Sequence, residues 1–301
     1  MKLLVTGAWK CTKEQLNILE QLGHRVIFMQ NEKDDLPCSY EDVEGVICNG
    51  LFLYHPIEKF TALNYIQLTS AGFDRVPMDY IQTNKIPIYN ARGVYSIPMA
   101  EFALCGVLQL YKQSHIFYEN QKRQLWQKNR EILELNGKTV CVVGCGNVGT
   151  ECAKRFQAFG CRVIGVDLFS REYIAYEKIY PLVDINNCLQ QADVVILTLP
   201  LTDETKNMMN EQRFNFMKKG SILVNIARGE IVNEKALLEA LGEKLMGAVL
   251  DVFDNEPLPL NNPLWQKQNV IITPHNSFVS DGVPNRLFQT ILENLARCKL
   301  K

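Results

Sequence analysis

The sequence predicts an α/β protein built on parallel sheets, and two observations carry that reading. Short apolar runs rich in Val, Ile and Leu alternate with helical segments in both halves of the chain, the order expected when each strand is followed by a helix that covers the sheet. In the second half these runs are near-continuous rather than alternating with polar residues, as in strands buried on both faces. Length and composition agree: 301 residues can hold two domains of ordinary size, and 47% hydrophobic against 22% charged residues describes a globular chain.

In chain order, strands are expected at 3–5, 25–29, 43–48, 65–69 and 86–89. A helix over 12–21 separates the first two; Thr12 and Gln15 have capping-box spacing, and Gly23 suits its end. A longer helix is expected over 98–118, with Pro98 tolerated in its first turn. The polar, basic stretch 119–134 follows, its large apolar residues being Leu125, Trp126, Ile132 and Leu133. It reads either as a linker crossing between domains or as an arm that packs on a second subunit. Strands resume at 139–143, 162–166, 193–198, 221–226, 246–250 and 269–273. The helix after 143 carries Val148, Cys152, Ala153, Phe156 and Phe159 near helical spacing and is closed by Gly160.

A net charge of −1 gives no reason to expect nucleic acid or an anionic membrane as partner. No apolar run approaches the roughly 18 residues that span a bilayer, and the N-terminal apolar stretch is too short for a signal peptide. The ten cysteines form no Cys-x-x-Cys pair and the chain has four histidines, so no metal site is expected. Cysteines standing in for small apolar residues suit reduced thiols and a cytoplasmic location.

The turn Gly144-Cys145-Gly146-Asn147-Val148-Gly149 follows the run 139–143 directly. A Gly-x-Gly-x-x-Gly turn between a strand and a helix is a dinucleotide fingerprint. The first glycine makes the turn, the second admits the pyrophosphate and the third lets the helix approach the sheet, with the helix N-terminus facing the phosphates. The next run, 18 residues past Gly149, ends in Asp167, where a carboxylate can accept both ribose hydroxyls. A 2′-phosphate there would meet a like charge, so NAD is favoured over NADP; Ser170 and Arg171, close behind, could soften that preference.

Ligands of open parallel sheets bind beyond the carboxyl ends of the strands. In the second half those ends carry Gly144, Asp167, Leu199-Pro200, Ala227-Arg228-Gly229, Asp251 and His275. Arg228 offers a planar guanidinium that can hold a carboxylate by two parallel hydrogen bonds, or else an internal ion pair. His275, after Thr273-Pro274, is the candidate acid/base; His24, His55 and His115 have no comparable setting. Glu256, before Pro257, reads on its own as surface turn chemistry.

Five ordered blocks carry a resemblance. They are Leu197-Thr198-Leu199-Pro200-Leu201-Thr202-Asp203-Glu204-Thr205, Met217-Lys218-Lys219-Gly220, Asn225-Ile226-Ala227-Arg228-Gly229-Glu230-Ile231-Val232, Leu250-Asp251-Val252-Phe253-Asp254-Asn255-Glu256-Pro257-Leu258-Pro259 and Thr273-Pro274-His275. Together, and more loosely with Ser70-Ala71-Gly72-Phe73-Asp74, they resemble the D-isomer-specific 2-hydroxyacid dehydrogenase family.

The resemblance implies a Rossmann cofactor domain over 98–278 inserted into a flavodoxin-like substrate domain over 1–97 and 279–301, with a cleft between the two. It implies Arg228 as the arginine on the substrate carboxylate, His275 as general acid/base and Glu256 as the acid paired with that histidine. Ala71 and Gly72 would hold the substrate carboxylate by their amides. Gly144, Gly146, Asn147, Val148 and Gly149 would lie under the pyrophosphate, and Leu199, Pro200, Thr205, Ala227 and Asp251 around the nicotinamide half. A homodimer acting on a small 2-keto or 2-hydroxy acid is expected, with Trp126 reaching toward the partner's site. The core fold is expected without the regulatory domain appended in many phosphoglycerate dehydrogenases.

Asn276-Ser277-Phe278 departs from the small residues usual after that histidine, and Phe278 would narrow the cleft. Trp9, Leu51, Phe52 and Tyr54 follow strand ends and read either as pocket lining or as interdomain packing. The alternative function is an NAD-sensing scaffold, corepressor-like, on the same fold.

Overall fold

The computed structural model describes residues 1–168 and 173–298. Ser170 and Arg171, invoked above beside the ribose, lie outside the described residues, as do Lys299, Leu300 and Lys301. The chain forms two compact units, one of Met1–Tyr95 with the chain from Ser280 onward, the other of Ser96–Val279.

In the first unit β1 (Lys2–Thr6), β2 (Arg25–Met29), β3 (Gly45–Cys48), β4 (Tyr65–Leu68) and β5 (Ile88–Tyr89) pair in parallel in the order β2-β1-β3-β4-β5, the order of flavodoxin-like sheets. Side chains alternate across β1 as the pleat requires. Leu3 and Val5 enter one core with Leu19, Ile47 and Tyr65, while Leu4 enters the other with Val46, Ile66 and Leu68. The helix Lys13–Gln21 opens with the expected capping box: Gln15 N–H donates to Thr12 Oγ1 at 3.2 Å and Thr12 N–H to Gln15 Oε1 at 3.0 Å. The helix Val283–Cys298 closes the first core with Leu287, Phe288, Ile291 and Leu295 on one face. Its buried Asn294 amide donates to Gln67 Oε1 at 2.9 Å, which satisfies a polar pair inside that core.

Two apolar residues proposed to line a pocket or an interdomain surface belong instead to this unit's interior. Trp9 is 1% exposed and Leu51 is fully buried. The reason is local: after β1 the chain turns at once, Trp9 N–H reaching Thr6 O at 3.2 Å. That turn folds the indole back over the sheet, where it stacks on Phe288 at 5.7 Å. Phe52 packs edge-on against Phe60, while Tyr54 stays exposed beneath Lys33.

The second unit holds β6 (Thr139–Val143), β7 (Arg162–Asp167), β8 (Lys178–Pro181), β9 (Val194–Leu197), β10 (Ile222–Asn225), β11 (Gly247–Leu250) and β12 (Val270–Ile272). They pair in parallel in the order β12-β11-β10-β9-β6-β7-β8. Cys141, Val143, Val195, Leu197 and Leu223 face one core, and Val140, Val142, Val194, Ile196 and Val224 face the other. Both faces are covered, which is why the runs read as continuously apolar. Burial of each Val, Leu or Ile contributes about 1.5–3 kcal/mol. β8, a four-residue strand at the sheet edge, gave no comparable apolar run.

The helix expected over 98–118 is two helices, Ser96–Tyr111 and Ser114–Lys122. They break at Gln113, which is left-handed with φ 49° and ψ 43°. No glycine or proline marks the break, and a left-handed non-glycine residue costs about 1–2 kcal/mol. Folding back of the following segment offsets that cost: Leu133 N–H donates to Tyr111 O at 2.9 Å, Lys112 Nζ to Leu133 O at 2.7 Å, and the Asn129 amide to the Gln113 side chain. The stretch 119–134 thus begins and ends in the same unit and is no interdomain linker. Among the described residues, no helix is long and apolar enough to cross a membrane.

Because Trp9 is packed in the core, Trp9→Ala is expected to lower unfolding stability by about 3–5 kcal/mol, read by urea denaturation.

Candidate active site

One edge of the second sheet gathers most of the residues singled out above. Across it lie, in spatial order, Asp167 at the end of β7, Gly144 after β6, Leu199-Pro200 after β9, Ala227-Arg228 after β10, Asp251 after β11 and Thr273–His275 after β12. The strand order reverses between β6 and β9, so the glycine turn stands at a topological switch point, where such sheets open a crevice.

Steric contacts account for the first and third glycines of the turn. Gly144 has φ +97°, and a Cβ there would lie 2.6 Å from Leu199 N. A Cβ on Gly149 would lie 2.1 Å from Gly144 O, so only glycine lets the helix Asn147–Ala158 meet the turn. A Cβ on Gly146 would meet nothing within 4 Å. The space over the turn is therefore open, and no side chain caps the helix that follows. Asp167 lies beside the turn, its Oδ2 accepting from Cys145 N–H at 3.2 Å. Thr198 Oγ1 donates to Gly144 O at 2.6 Å and ties β9 to the same turn. Open amides at a helix start, with a carboxylate one strand away, fit a dinucleotide's phosphates and ribose.

The other half of the edge is built on buried polar anchors. Asn225, 1% exposed, accepts from Ala227 N–H at 3.1 Å and donates to Arg228 O at 2.9 Å, which shapes the turn bearing Arg228. A Cβ on Gly229 would lie 2.0 Å from the backbone carbon of Phe253, so that turn presses against the loop after β11. Asp251 is fully buried. Its Oδ1 accepts from Thr273 Oγ1 at 2.6 Å and Asn276 N–H at 2.7 Å, and its Oδ2 from Ser277 N–H at 2.9 Å. Its backbone O accepts from His275 N–H at 2.8 Å.

Held this way, His275 adopts φ 50°, a left-handed conformation that non-glycine residues rarely take. Its Nδ1 pairs with Glu256 Oε2 at 2.8 Å, while Glu256 Oε1 accepts from Phe253 N–H at 3.0 Å. Phe278 stands edge-on to the imidazole at 6.0 Å between centroids. Nearby, burial and then the charges of Glu234 and Glu230 hold the Asp254 carboxyl above its usual range.

Two further loops carry residues singled out above, one in each unit. Thr205 accepts from Thr202 N–H at 2.7 Å and donates to Pro200 O at 2.8 Å, so its hydroxyl fixes the loop after β9. In the first unit the Ser70–Gly72 loop follows β4, and its carbonyls are engaged. Asn90 Nδ2 donates to Ala71 O at 2.7 Å, Ala91 N–H to Ser70 O at 2.8 Å and Ser70 Oγ to Gly72 O at 3.0 Å. The N–H groups of Ala71 and Gly72 have no acceptor among the described residues. Sequence reasoning missed Asn225, Thr198 and Thr273; polar residues at or just past an apolar run were the available signal. A glycine after Arg228 suits a sharp turn and a close approach, and the contact at Phe253 agrees with that.

Residues 104–277 match the family described as "D-isomer specific 2-hydroxyacid dehydrogenase, NAD binding domain". The chain is 35% identical to D-3-phosphoglycerate dehydrogenase of Methanocaldococcus jannaschii over 280 residues, covering 91% of this chain but 53% of that protein, about half its length. It is 31% identical to glyoxylate reductase of Korarchaeum cryptofilum, covering 89% of this chain and 85% of that one. A D-isomer specific 2-hydroxyacid dehydrogenase family protein from Aeromonas salmonicida has a similar structure, with a TM-score of 0.81 and 32% identity over 98% of this chain and 94% of that one.

Replacing Asp251 by asparagine sets an amide N–H against Ser277 N–H. Asp251→Asn is expected to lower stability by about 1–3 kcal/mol in chemical denaturation; an unchanged midpoint would mean the turn holds without that carboxylate.

Proposed function

The chain belongs to the D-isomer-specific 2-hydroxyacid dehydrogenase family, and we propose that it interconverts a 2-keto acid and the corresponding D-2-hydroxy acid with NAD as cofactor. The observation that carries this reading is the His275–Glu256 pair, 2.8 Å apart, on the sheet edge that also bears Arg228 and the glycine turn.

Bound NADH would supply hydride to the substrate's C2. The chain's own residues do the rest. The first-turn amides of Asn147, Val148 and Gly149 would face the pyrophosphate over Gly144 and Gly146, and Asp167 would accept the ribose hydroxyls. Leu199, Pro200 and Ala227 would line the nicotinamide half, with Thr205 and Asp251 fixing the loops that form its walls. Arg228 would grip the substrate carboxylate in a fork and polarise the carbonyl, joined by the free N–H groups of Ala71 and Gly72. His275 donates a proton to the developing alkoxide, and in the reverse direction takes it back. Glu256 fixes the ring by its bond to Nδ1, which leaves Nε2 to face the substrate oxygen.

A homodimer is the proposed assembly, formed through the segment 114–133. Ile116, Phe117, Tyr118 and Leu125 are 36–59% exposed there and Trp126 is 100% exposed, an apolar surface that association would cover. The ten cysteines are free thiols, which supports a cytoplasmic location.

Reduction of glyoxylate, hydroxypyruvate, pyruvate, 2-ketoisocaproate and phenylpyruvate, followed at the cofactor absorbance with NADH and NADPH, tests the reading. Turnover of at least one, faster with NADH, is expected; silence across the panel would favour the scaffold alternative. His275→Ala should retain NADH binding while kcat falls about 10²–10⁴-fold. Gly146→Ala should leave the fold intact, because its Cβ has room, yet weaken NADH binding. Trp126→Ala should shift a dimer toward monomer in light scattering.

A further inference from the structure

The chain passes between its two units at only two places, Tyr95–Ser96 and Val279–Ser280. One side chain holds the first unit's end of both passages. Arg286, in the first turn of the helix Val283–Cys298, donates from Nε to Val94 O at 2.9 Å and from Nη2 to Ser280 Oγ at 3.3 Å. Val94 lies two residues before the first passage, and Ser280 is the first residue after the second.

Three features make this more than incidental contact. Arg286 is half-buried and has no carboxylate partner among the described residues, so its charge is directed at neutral acceptors on these two segments. Its base is firm: Leu287, Phe288 and Ile291 of the same helix are core, and Phe288 stacks on Trp9. Gly282 leaves it room: a Cβ there would lie 2.6 Å from Arg286 Nη1, so a larger residue would displace the guanidinium from this position. A guanidinium suits the task because its donors diverge in a fixed plane and reach two acceptors at once, which a lysine ammonium on a flexible stem does less well.

We propose that Arg286 is a positioning residue of the enzyme: it ties the two inter-unit passages to each other and to the first unit's core, and so fixes the points about which any substrate-linked rearrangement must turn. Enzymes that rearrange around a substrate absorb the motion at a few element-terminal residues, and altering those residues changes kcat and KM together. The catalytic part rests on the function proposed above; the tethering part does not.

The test uses the full chain with Arg286→Gln and, as the milder variant, Arg286→Lys. Backbone hydrogen exchange is read segment by segment, with the NADH Kd and the keto-acid kcat and KM alongside. The proposal expects exchange at 94–97 and at 279–283 to rise together by tenfold or more. It expects NADH affinity, which belongs to the other unit, to stay within twofold, and keto-acid kcat/KM to fall tenfold or more, with Arg286→Lys intermediate. A rise in only one of the two segments, an equal rise over the whole first unit, or an unchanged kcat/KM despite freed segments would each overturn it. If the wild type reduces no keto acid, the function reading fails, while the exchange result still decides whether Arg286 ties both segments.

Discussion

The carboxylate of Asp251 is the interaction on which the candidate site depends. It is fully buried at the end of a strand and gathers three donors from the turn after the neighbouring strand. A buried carboxylate without such partners would be heavily penalised, so the turn and the acid stabilise one another. Their joint product is the left-handed backbone of His275, which no side chain at that position favours by itself. From there the imidazole reaches Glu256, and the loop carrying Glu256 is pressed against the Arg228 turn at Gly229. Removing the carboxylate would loosen the His275–Glu256 pair and the turn beside Arg228 together.

The same logic holds at the other end of the edge. Gly144 and Gly149 are required by contacts within the protein, at 2.6 Å and 2.1 Å for a hypothetical Cβ, whereas Gly146 is not. That contrast assigns the first and third glycines to the fold and leaves the second free for a ligand. Strand order then does the arranging: because β6 and β9 are neighbours, the phosphate end and the Arg228–His275 end of the proposed site share one line of strand termini. Chemistry drawn from residues more than a hundred positions apart is aligned by sheet pairing alone.

Much of this was legible in the sequence. Buried parallel strands are continuous apolar runs, so eleven of the twelve strands among the described residues could be located to within a residue or two; β8 escaped because an edge strand needs no such run. The helix break at Gln113 escaped because its cause lies some twenty residues away, in the segment that folds back on it. Trp9 and Leu51 were misjudged because a strand end marks the ligand edge but says nothing of which way the next turn folds. Position after a strand was enough to nominate Arg228, Asp251 and His275. Glu256, nineteen residues before His275, looked like ordinary turn chemistry until the family resemblance paired them; the 2.8 Å contact gives that pairing a geometry. The role of Asp251 as a turn anchor was invisible, because two of its three donors are backbone amides that no residue pattern encodes.

In the proposed reaction this edge directs a hydride to C2 of a 2-keto acid while His275 protonates the oxygen. Reduction of the keto acid turned over best, with NADH carrying deuterium at the transferable C4 position, tests it most directly. One deuterium is expected at C2 of a D-configured 2-hydroxy acid. Product with solvent hydrogen at C2, or a mixture of configurations, would contradict it.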